Sequence, residues 1–567
     1  MPQDAFTLRH LCVELNNAFN GGKVNRIVQP TSDEVVMTVY TGKRTEKLTI
    51  NVDPSAPRIS VSDSEKVSPL TAPNFCMLLR KHLLSATITN IELVGFDRIV
   101  KVNFLSSAEF FDSVEKTLYI ELMGRYSNII LTENGKILGG NRGINMFDDG
   151  VRPLIVGQPY VFPPVGDKKL PSDNTLINTF ENVDKNELAS VIISNVQGIA
   201  LSTAKEIVYS YFNDKQNATK IEDGNAFFVF FNQFLYTDNT QPCIVKNGGE
   251  VVDVCAYPYQ TIGGEKEFFS TLIKAEEIYF ESKDYQKDFK RKKERLMAVI
   301  NTAIKKVKKR LTAIKAKKKD ALNAQENKIK GELLLANIYA IKNGQRECEL
   351  LNYYDNTMVK IELDEHLSIA KNAENYYKKY NKQKRTLIAL QPQLDQAESE
   401  LNYYESVLSE IELCEDVSEL SLIQSELESS GLIVDKQAKL KPKKQNESFC
   451  RVYQIGDFKV LVGRNNSEND KLTFTAKPED VWLHAKDYHS SHIIIEAQKK
   501  NVPVSVIEKS AEICAYYSKG REGGKTEIVY TQKRNVKKPP KSKPGKVIYE
   551  SFKSIIVAPN KHIELLK

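Results

Sequence analysis

Residues 281–320 read ESKDYQKDFKRKKERLMAVINTAIKKVKKRLTAIKAKKKD, with 16 Lys or Arg against 5 acidic residues. Ile300, Ile304, Val307, Leu311 and Ile314 recur at alternating steps of four and three, and neither Gly nor Pro interrupts them. This heptad spacing predicts one long helix with an apolar seam and a basic exposed face. Residues 395–428 carry the opposite charge, 11 acids and no Lys or Arg. Across this segment and the residues before it, Leu387, Leu390, Leu394, Ala397, Leu401, Tyr404, Leu408 and Ile411 repeat the same seam. Two such seams of opposite charge predict an antiparallel hairpin of long helices, the charges beside one seam facing those beside the other. Pro392 is expected to start, kink or interrupt the second helix. With about 40 residues per helix at roughly 1.5 Å each, the arm would extend on the order of 60 Å.

The 567-residue chain is long enough for about three to five domains. Its 41% hydrophobic content suits ordinary cores, and 27 Gly with 21 Pro are too few for a disordered or collagen-like polymer. The formal charge of +7, from 80 basic and 73 acidic residues, looks bland only because the two helical blocks cancel. MPQDAFTLRH lacks the features of a secretion signal, and no run approaches 18 uncharged apolar residues, so a soluble cytoplasmic protein with no membrane partner is expected. The eight cysteines contain no C-x-x-C pair and are expected to be reduced and mostly buried.

The patterning predicts an α+β multidomain chain: a mixed α/β N-terminal head over 1–174, a module containing a helical hairpin over 175–265, a long antiparallel coiled coil over 266–435 and a β-rich C-terminal domain over 440–567. The coil carries a small insert at about 331–366, with a turn at Asn343-Gly344. In the head, EVVMTVY and KLTINV form a hairpin around Gly42, and Asn134-Gly135 marks another. LESSG (427–431) and KLKPKK (439–444) read as linker.

Several segments suit nucleic acid. The basic ladder Lys305, Lys306, Lys308, Lys309 and Arg310 would neutralise phosphates, or would instead pair with the acidic helix. TQKRNVKKPPKSKPGK (531–546) is an extended cationic loop whose Lys533, Arg534, Lys537, Lys538, Lys541 and Lys543 could follow an RNA backbone. VIISNVQGIALSTAKEIVYSYF (191–212) resembles a helix-hairpin-helix that turns at Gly198, with Ser202 able to cap its second helix and its turn amides able to hold a phosphate. Asp97 and Arg98 sit at a strand turn, where Arg98 could fork onto phosphate or a base edge. His484, Lys486, Asp487, His489 and His492 cluster in VWLHAKDYHSSHIII, but strand alternation should place the three histidines differently and no metal set is completed. There is no G-x-S-x-G, P-loop, G-x-G-x-x-G or H-E-x-x-H.

Together with these features, LVGFDR (93–98), ELMGRYSNIIL (121–131), RPLIVGQPYVFPP (152–164), GELLLAN (331–337), NAENYYKKYNKQK (372–384), VWLHAKDYHSSHIII (481–495) and NVKKPPKSKPGKVIY (535–549) resemble the NFACT family, in order and over nearly the whole chain. The resemblance implies a ribosome-associated factor that binds a large ribosomal subunit still carrying peptidyl-tRNA and recruits alanyl-tRNA. It then promotes mRNA-independent alanine tailing of the nascent chain for degradation, with a small RNA-binding cofactor as a further partner. By the same resemblance Asp97, Arg98, Glu121, Leu122, Met123 and Arg125 handle tRNA; His484, Lys486 and the lysines and arginines of the two basic segments named above are the candidate contacts to ribosomal RNA. Tyr126 stands where the family often has His, so no role is carried over to it. No catalytic residue, metal or cofactor is implied, and the peptide chemistry would be the ribosome's.

Two other classes compete. An adhesin binding fibronectin follows from an older family name. The head is also similar to formamidopyrimidine-DNA glycosylases, but Gln3 follows Pro2 where those enzymes use Glu, and no four-cysteine zinc finger follows, so base excision is not expected.

Overall fold

A computed structural model describes residues 3–64, 66, 68–69, 71–107, 113–142, 152, 154–213, 218–433, 450–540, 542–562, 564 and 566. The chain forms two compact units, 1–286 and 287–567.

In the first unit, helix α1 (Ala5–Phe19) is capped by Asp4, whose carboxylate accepts the Thr7 amide at 3.0 Å. Strands β1 (Lys23–Thr31), β2 (Glu34–Tyr40), β3 (Thr45–Asn51) and β4 (Arg58–Val61) follow. Helix α2 (Asn74–Leu83) then leads into β5 (Thr87–Leu93), β6 (Ile99–Ser107), β7 (Ser113–Glu121), β8 (Asn128–Glu133) and β9 (Lys136–Gly140). Among the described residues these nine strands make one antiparallel sheet in the order β4-β3-β2-β1-β5-β6-β7-β8-β9. The hairpins turn where the sequence predicts: Gly42 (φ +83°), Asn134 (φ +49°) and Gly135 (φ +77°) take the left-handed backbone that tight turns demand.

Helices α3 (Leu176–Phe180), α4 (Lys185–Asn195), α5 (Leu201–Asn213) and α6 (Gly224–Leu235) precede a small sheet of β10 (Cys243–Asn247), β11 (Glu250–Cys255) and β12 (Glu265–Phe268). One continuous apolar core joins α1, the large sheet, these helices, the small sheet and the first turns of α7 (Leu272–Leu322). Gln3 is buried in it, donating to the Ile59 carbonyl at 2.8 Å and to Oε2 of Glu276 at 2.7 Å. Glu276 is fully buried, and burial raises its carboxyl to about 8.

In the second unit α7 runs beside α9 (Ile369–Leu413). Leu296, Ile300, Ile304, Val307, Leu311 and Ile314 bury against Leu390, Leu394, Ala397, Tyr404, Val407 and Ile411. Lys308 pairs with Glu405, and Lys315 with Glu398, so the helices are antiparallel. Pro392 lies inside α9 and neither starts nor ends it; the helix outlasts the one backbone bond that proline removes because its apolar seam is buried on both sides of that residue. The acidic segment, expected as one helix, is two: α9 stops at Leu413, and α10 (Val417–Ser429) begins behind the Asp416 cap, whose carboxylate accepts the Glu419 amide at 2.9 Å. The LESSG segment is therefore helical as far as Ser429, with Leu427 fully buried; KLKPKK lies outside the described residues. The insert consists of α8 (Ala324–Ala336), a turn at Gly344 (φ +89°), and the hairpin β13 (Glu347–Asn352) and β14 (Thr357–Glu362).

The C-terminal sheet has the order β15 (Arg451–Ile455), β16 (Phe458–Val462), β18 (Ile493–Ile495), β17 (Val481–Ala485), β19 (Thr526–Gln532) and β22 (Lys553–Val557). Its faces alternate: Leu483 joins the core containing α12 (Val504–Tyr516), while Trp482 joins the one containing Leu472 of α11 (Asn466–Thr475). Short strands β20 (Val536–Lys537) and β21 (Ile548–Tyr549) close the lysine loop as a separate ribbon. All eight cysteines are free, and all but Cys348 are buried. Among the described residues no helix is long and apolar enough to cross a membrane.

Glu276 gives the first unit a defined pH response. The folded carboxyl keeps a proton up to about pH 8, whereas an unfolded one loses it near the ordinary 4.5. Its contribution is complete below the unfolded value and is lost as pH rises through the folded one. Thermal melts between about pH 5 and about pH 8.5 should show stability falling with pH, and a markedly shallower fall in Glu276→Gln.

Candidate nucleic-acid interface

In the head, Gly95 (φ +60°), Phe96 and Asp97 turn β5 into β6, and the Val94 amide donates to the Ile99 carbonyl at 2.9 Å. Asp97 Oδ1 accepts the Arg98 amide at 2.7 Å, which fixes the acid within the turn. The Arg98 carbonyl accepts the Leu122 amide at 2.8 Å, and Ile99 lies opposite Glu121 in the ladder. Two motifs distant in sequence thus meet at one end of one strand pair.

Their side chains divide into two kinds. Glu121 is 2% exposed and held in a fork by Arg152, at 2.6 and 3.1 Å, while the Tyr160 hydroxyl donates to it at 2.7 Å. Burial, with the Glu121 carboxylate beside it, pushes the Tyr160 phenol up, so it remains a donor. Tyr160 stacks on Tyr119 at 3.9 Å. Leu122 is 1% exposed. Neither side chain is open to a partner in this structure: the carboxylate is saturated by interior partners and the leucine belongs to the core. Both position the segment that follows.

In that segment Met123 is half-buried and Arg125 is exposed, its guanidinium 4.7 Å from the ring of Tyr126, which is itself 68% exposed. Arg142 donates to the Arg125 carbonyl at 2.7 Å and to the Val52 carbonyl at 2.7 Å, clamping this turn to the sheet. Sequence reasoning overlooked Arg142, Arg152 and Tyr160, which form the support. Arg152 and Tyr160 stand in the RPLIVGQPYVFPP segment, which was their signal; Arg142 carried none.

The helix-hairpin-helix reading meets an occupant. Gly198 (φ +70°) turns α4 into α5, but its carbonyl accepts the Ala5 amide at 2.8 Å, and a Cβ there would lie 2.4 Å from the Phe96 carbonyl oxygen. At the start of α5 the Ala200 amide (3.0 Å) and the Thr203 hydroxyl (2.6 Å) both donate to the Asp4 carboxylate. The anion at this helix N-terminus is the chain's own Asp4, so these donors are not open to phosphate.

In the second unit the basic ladder splits by helix face. Lys308 pairs with Glu405 at 3.0 Å and Arg310 pairs with Glu400. Lys305, Lys306 and Lys309 are exposed and make no ion pair among the described residues.

Around the C-terminal sheet the cations are tethered. Lys486 pairs with Glu527 at 3.1 Å, which raises its ammonium's affinity for its proton. Lys537 lies 3.9 Å from Glu550, and Lys538 pairs with Asp470. Lys533 and Lys538 approach the Phe474 ring at 5.8 and 6.0 Å, and Lys543 approaches Tyr403 at 5.6 Å. Arg534 is exposed, and Lys541 lies outside the described residues. The loop is pinned by the Gly545 amide, which donates to Asp470 at 2.9 Å. His484, His489 and His492 do not diverge as strand alternation implied: all three line one cavity, because the turn after β17 folds back onto it. Among the described residues no group of three His, Cys, Asp or Glu is placed to hold a metal ion.

A family model described as NFACT N-terminal and middle domains matches residues 4–446, and one described as NFACT protein RNA binding domain matches residues 448–551. The chain is similar to "Rqc2 homolog RqcH" of Bacillus subtilis, 29% identical over 558 residues and covering 96% of each chain. It is 30% identical over 568 residues to the protein of the same name in Streptococcus pneumoniae, covering 99% of this chain and 98% of that one. Among solved structures it is similar to the N-terminal part of a fibronectin/fibrinogen-binding protein from Streptococcus suis, at 26% identity and a TM-score of 0.41, over 49% of this chain and 98% of that one. With matches to both of its domain models, spanning the head, the paired helices and most of the C-terminal domain, the chain belongs to the NFACT family.

Proposed function

We propose that this NFACT protein is a ribosome quality control factor that binds large ribosomal subunits obstructed by peptidyl-tRNA. It recruits alanyl-tRNA and promotes mRNA-independent alanine tailing of the nascent chain for degradation. The observation that carries the reading is similarity along nearly the whole chain to Rqc2 homologs, together with the RNA-binding domain model over residues 448–551. These support a ribosome quality control role with RNA as partner. The fibronectin/fibrinogen-binding fragment, at a TM-score of 0.41, adds no argument for an adhesin.

In this reading the protein is not an enzyme. It supplies position, and the ribosome supplies the chemistry. The turn carrying Asp97, Arg98, Met123 and Arg125 takes tRNA, with Glu121 and Leu122 as its foundation. Lys305, Lys306 and Lys309 face phosphate, which gives sequence-blind, salt-sensitive attachment to ribosomal RNA. The lysine loop and β17 contribute a second RNA surface.

Replacing Asp97 and Arg98 together by Ala should abolish tRNA co-purification with an unchanged thermal melt; tRNA retained by the double variant would remove this site. Glu121→Ala should instead strip Arg152 and Tyr160 of their buried partner and cost about 3 kcal/mol in urea melts. For the helix, binding to isolated large subunits should be titrated at several salt concentrations. Changing Lys305, Lys306 and Lys309 to Ala should reduce the slope of log K against log salt by roughly two to three, whereas Lys308→Ala should change it little because Glu405 already neutralises that lysine.

A further inference from the structure

Within the second unit, a cavity of about 360 Å³ lies between α9 and the C-terminal sheet, and the reading above assigns it no ligand. Its walls are built. The Asn466 side-chain amide donates to Ser406 Oγ at 3.0 Å and to the Glu410 carboxyl at 3.1 Å, while the Tyr403 hydroxyl donates to Glu426 at 2.8 Å. Gly545 (φ +78°) lets the lysine loop close against this wall, since a Cβ there would stand 2.0 Å from the Asn466 side-chain oxygen. On the sheet side His484 lies parallel to Trp482 at 5.6 Å, and Tyr549 is tilted against Trp482 at 5.3 Å.

Interior and rim differ in charge. Burial, with Glu426 nearby, raises the Glu410 carboxyl well above the ordinary carboxylate range, so it stays protonated. Burial also lowers His484 to about 4 and His492 to about 3, so both imidazoles are neutral. Nδ1 of His484 is buried with no hydrogen-bond partner among the described residues, a cost that a ligand would relieve. Exposed Lys543 and Lys546 stand at the mouth. Arg451, Arg464 and Lys486 also line the cavity, and each is paired with a carboxylate, Glu419, Glu468 and Glu527, so the interior is balanced in charge and suits a neutral, planar group with donors and acceptors on its edge, while the mouth suits an attached anion. A bare phosphate or a peptide carboxylate held by the lysines would leave the interior unfilled and Nδ1 of His484 unpaired.

We propose that this cavity receives a single unpaired nucleobase from an RNA strand, with the adjoining phosphate held at the mouth by Lys543 and Lys546. The inference rests on the reading of the C-terminal domain as RNA-binding, and it adds a base-dependent component to a surface otherwise blind to sequence.

The test uses the full-length protein and fluorescence anisotropy with two labelled single-stranded RNAs of equal length, one with its bases and one abasic throughout. The wild type should bind the base-bearing strand about tenfold more tightly. Asn402→Trp, at an exposed α9 position on the cavity lining, should erase that difference and leave abasic affinity unchanged. Equal wild-type affinity for the two strands, or a preference that survives Asn402→Trp, overturns the proposal. A second measurement needs no variant: photocrosslinking a 4-thiouridine RNA should label peptides containing Tyr403, His484 or Tyr549, and labelling elsewhere alone overturns it. Displacement of the labelled strand by free adenosine monophosphate at matched concentration would assign the cavity to a soluble nucleotide instead. Failure of both strands to bind the wild type would sink the RNA reading of the domain, an outcome distinct from loss of base preference.

Discussion

The second unit depends on the apolar seam between α7 and α9. Seven residues from each helix, from Leu296 to Ile314 and from Leu390 to Ile411, leave water together, and burial of this kind is worth roughly 1.5 to 3 kcal/mol for each large side chain. The ion pairs beside the seam, such as Lys308 with Glu405 and Lys315 with Glu398, are half-exposed or more on the lysine side and contribute at most about 1 kcal/mol each. Apolar burial therefore holds the helices together, and the charges select their register. A slip by one turn would set lysines of α7 against the wrong stretch of α9. The same register fixes Tyr403, Ser406 and Glu410 where the C-terminal domain meets them, so the cavity is a downstream consequence of the seam.

The head solves a different problem, which is how to hold an exposed turn in a fixed geometry. Asp97 is tied to its own backbone, and the adjoining segment from Glu121 to Tyr126 is anchored from beneath by Arg152 and from the side by Arg142. A buried fork of this type is costly to form and still costlier to break singly, so its value lies in fixed geometry more than in net stability. Arg125 and Tyr126 are left outward, a cation beside an aromatic face, above this anchored base.

Legibility followed sequence distance. The heptad seam, the hairpins at Gly42 and Gly135, and the sorting of charge are local patterns with a fixed period, and the structure reproduces them. The break after Leu413 was hidden because Cys414, Glu415 and Asp416 contain neither Gly nor Pro; only the capping contact from Asp416 to the Glu419 amide reveals it. Pro392 neither starts nor ends α9, since a proline's lost hydrogen bond is small against a seam buried on both sides. The Asp4 carboxylate at the start of α5 joins positions 4, 200 and 203, and no periodicity connects them. The three histidines converge because a turn folds back on β17, which strand alternation cannot express.

The same distinction separates charge composition from charge placement. Much of the basic surplus is consumed internally: Lys308, Arg310, Lys315, Lys486 and Lys538 each have a carboxylate partner. What remains is a smaller set with a direction. Lys305, Lys306 and Lys309 sit on the face of α7 turned from the acidic helix, and Lys543 and Lys546 stand at the mouth of a cavity whose other cations, Arg451, Arg464 and Lys486, are each paired with a carboxylate. An unpaired lysine keeps its hydration and its counterions until phosphate replaces them, so in the proposed reading these residues would set the salt dependence of RNA binding while the paired ones set shape. A cation at the entrance to a neutral, aromatic interior adds a constraint that charge alone cannot impose. It favours a ligand whose anionic and planar parts are covalently joined, and a nucleotide within an RNA strand has that construction.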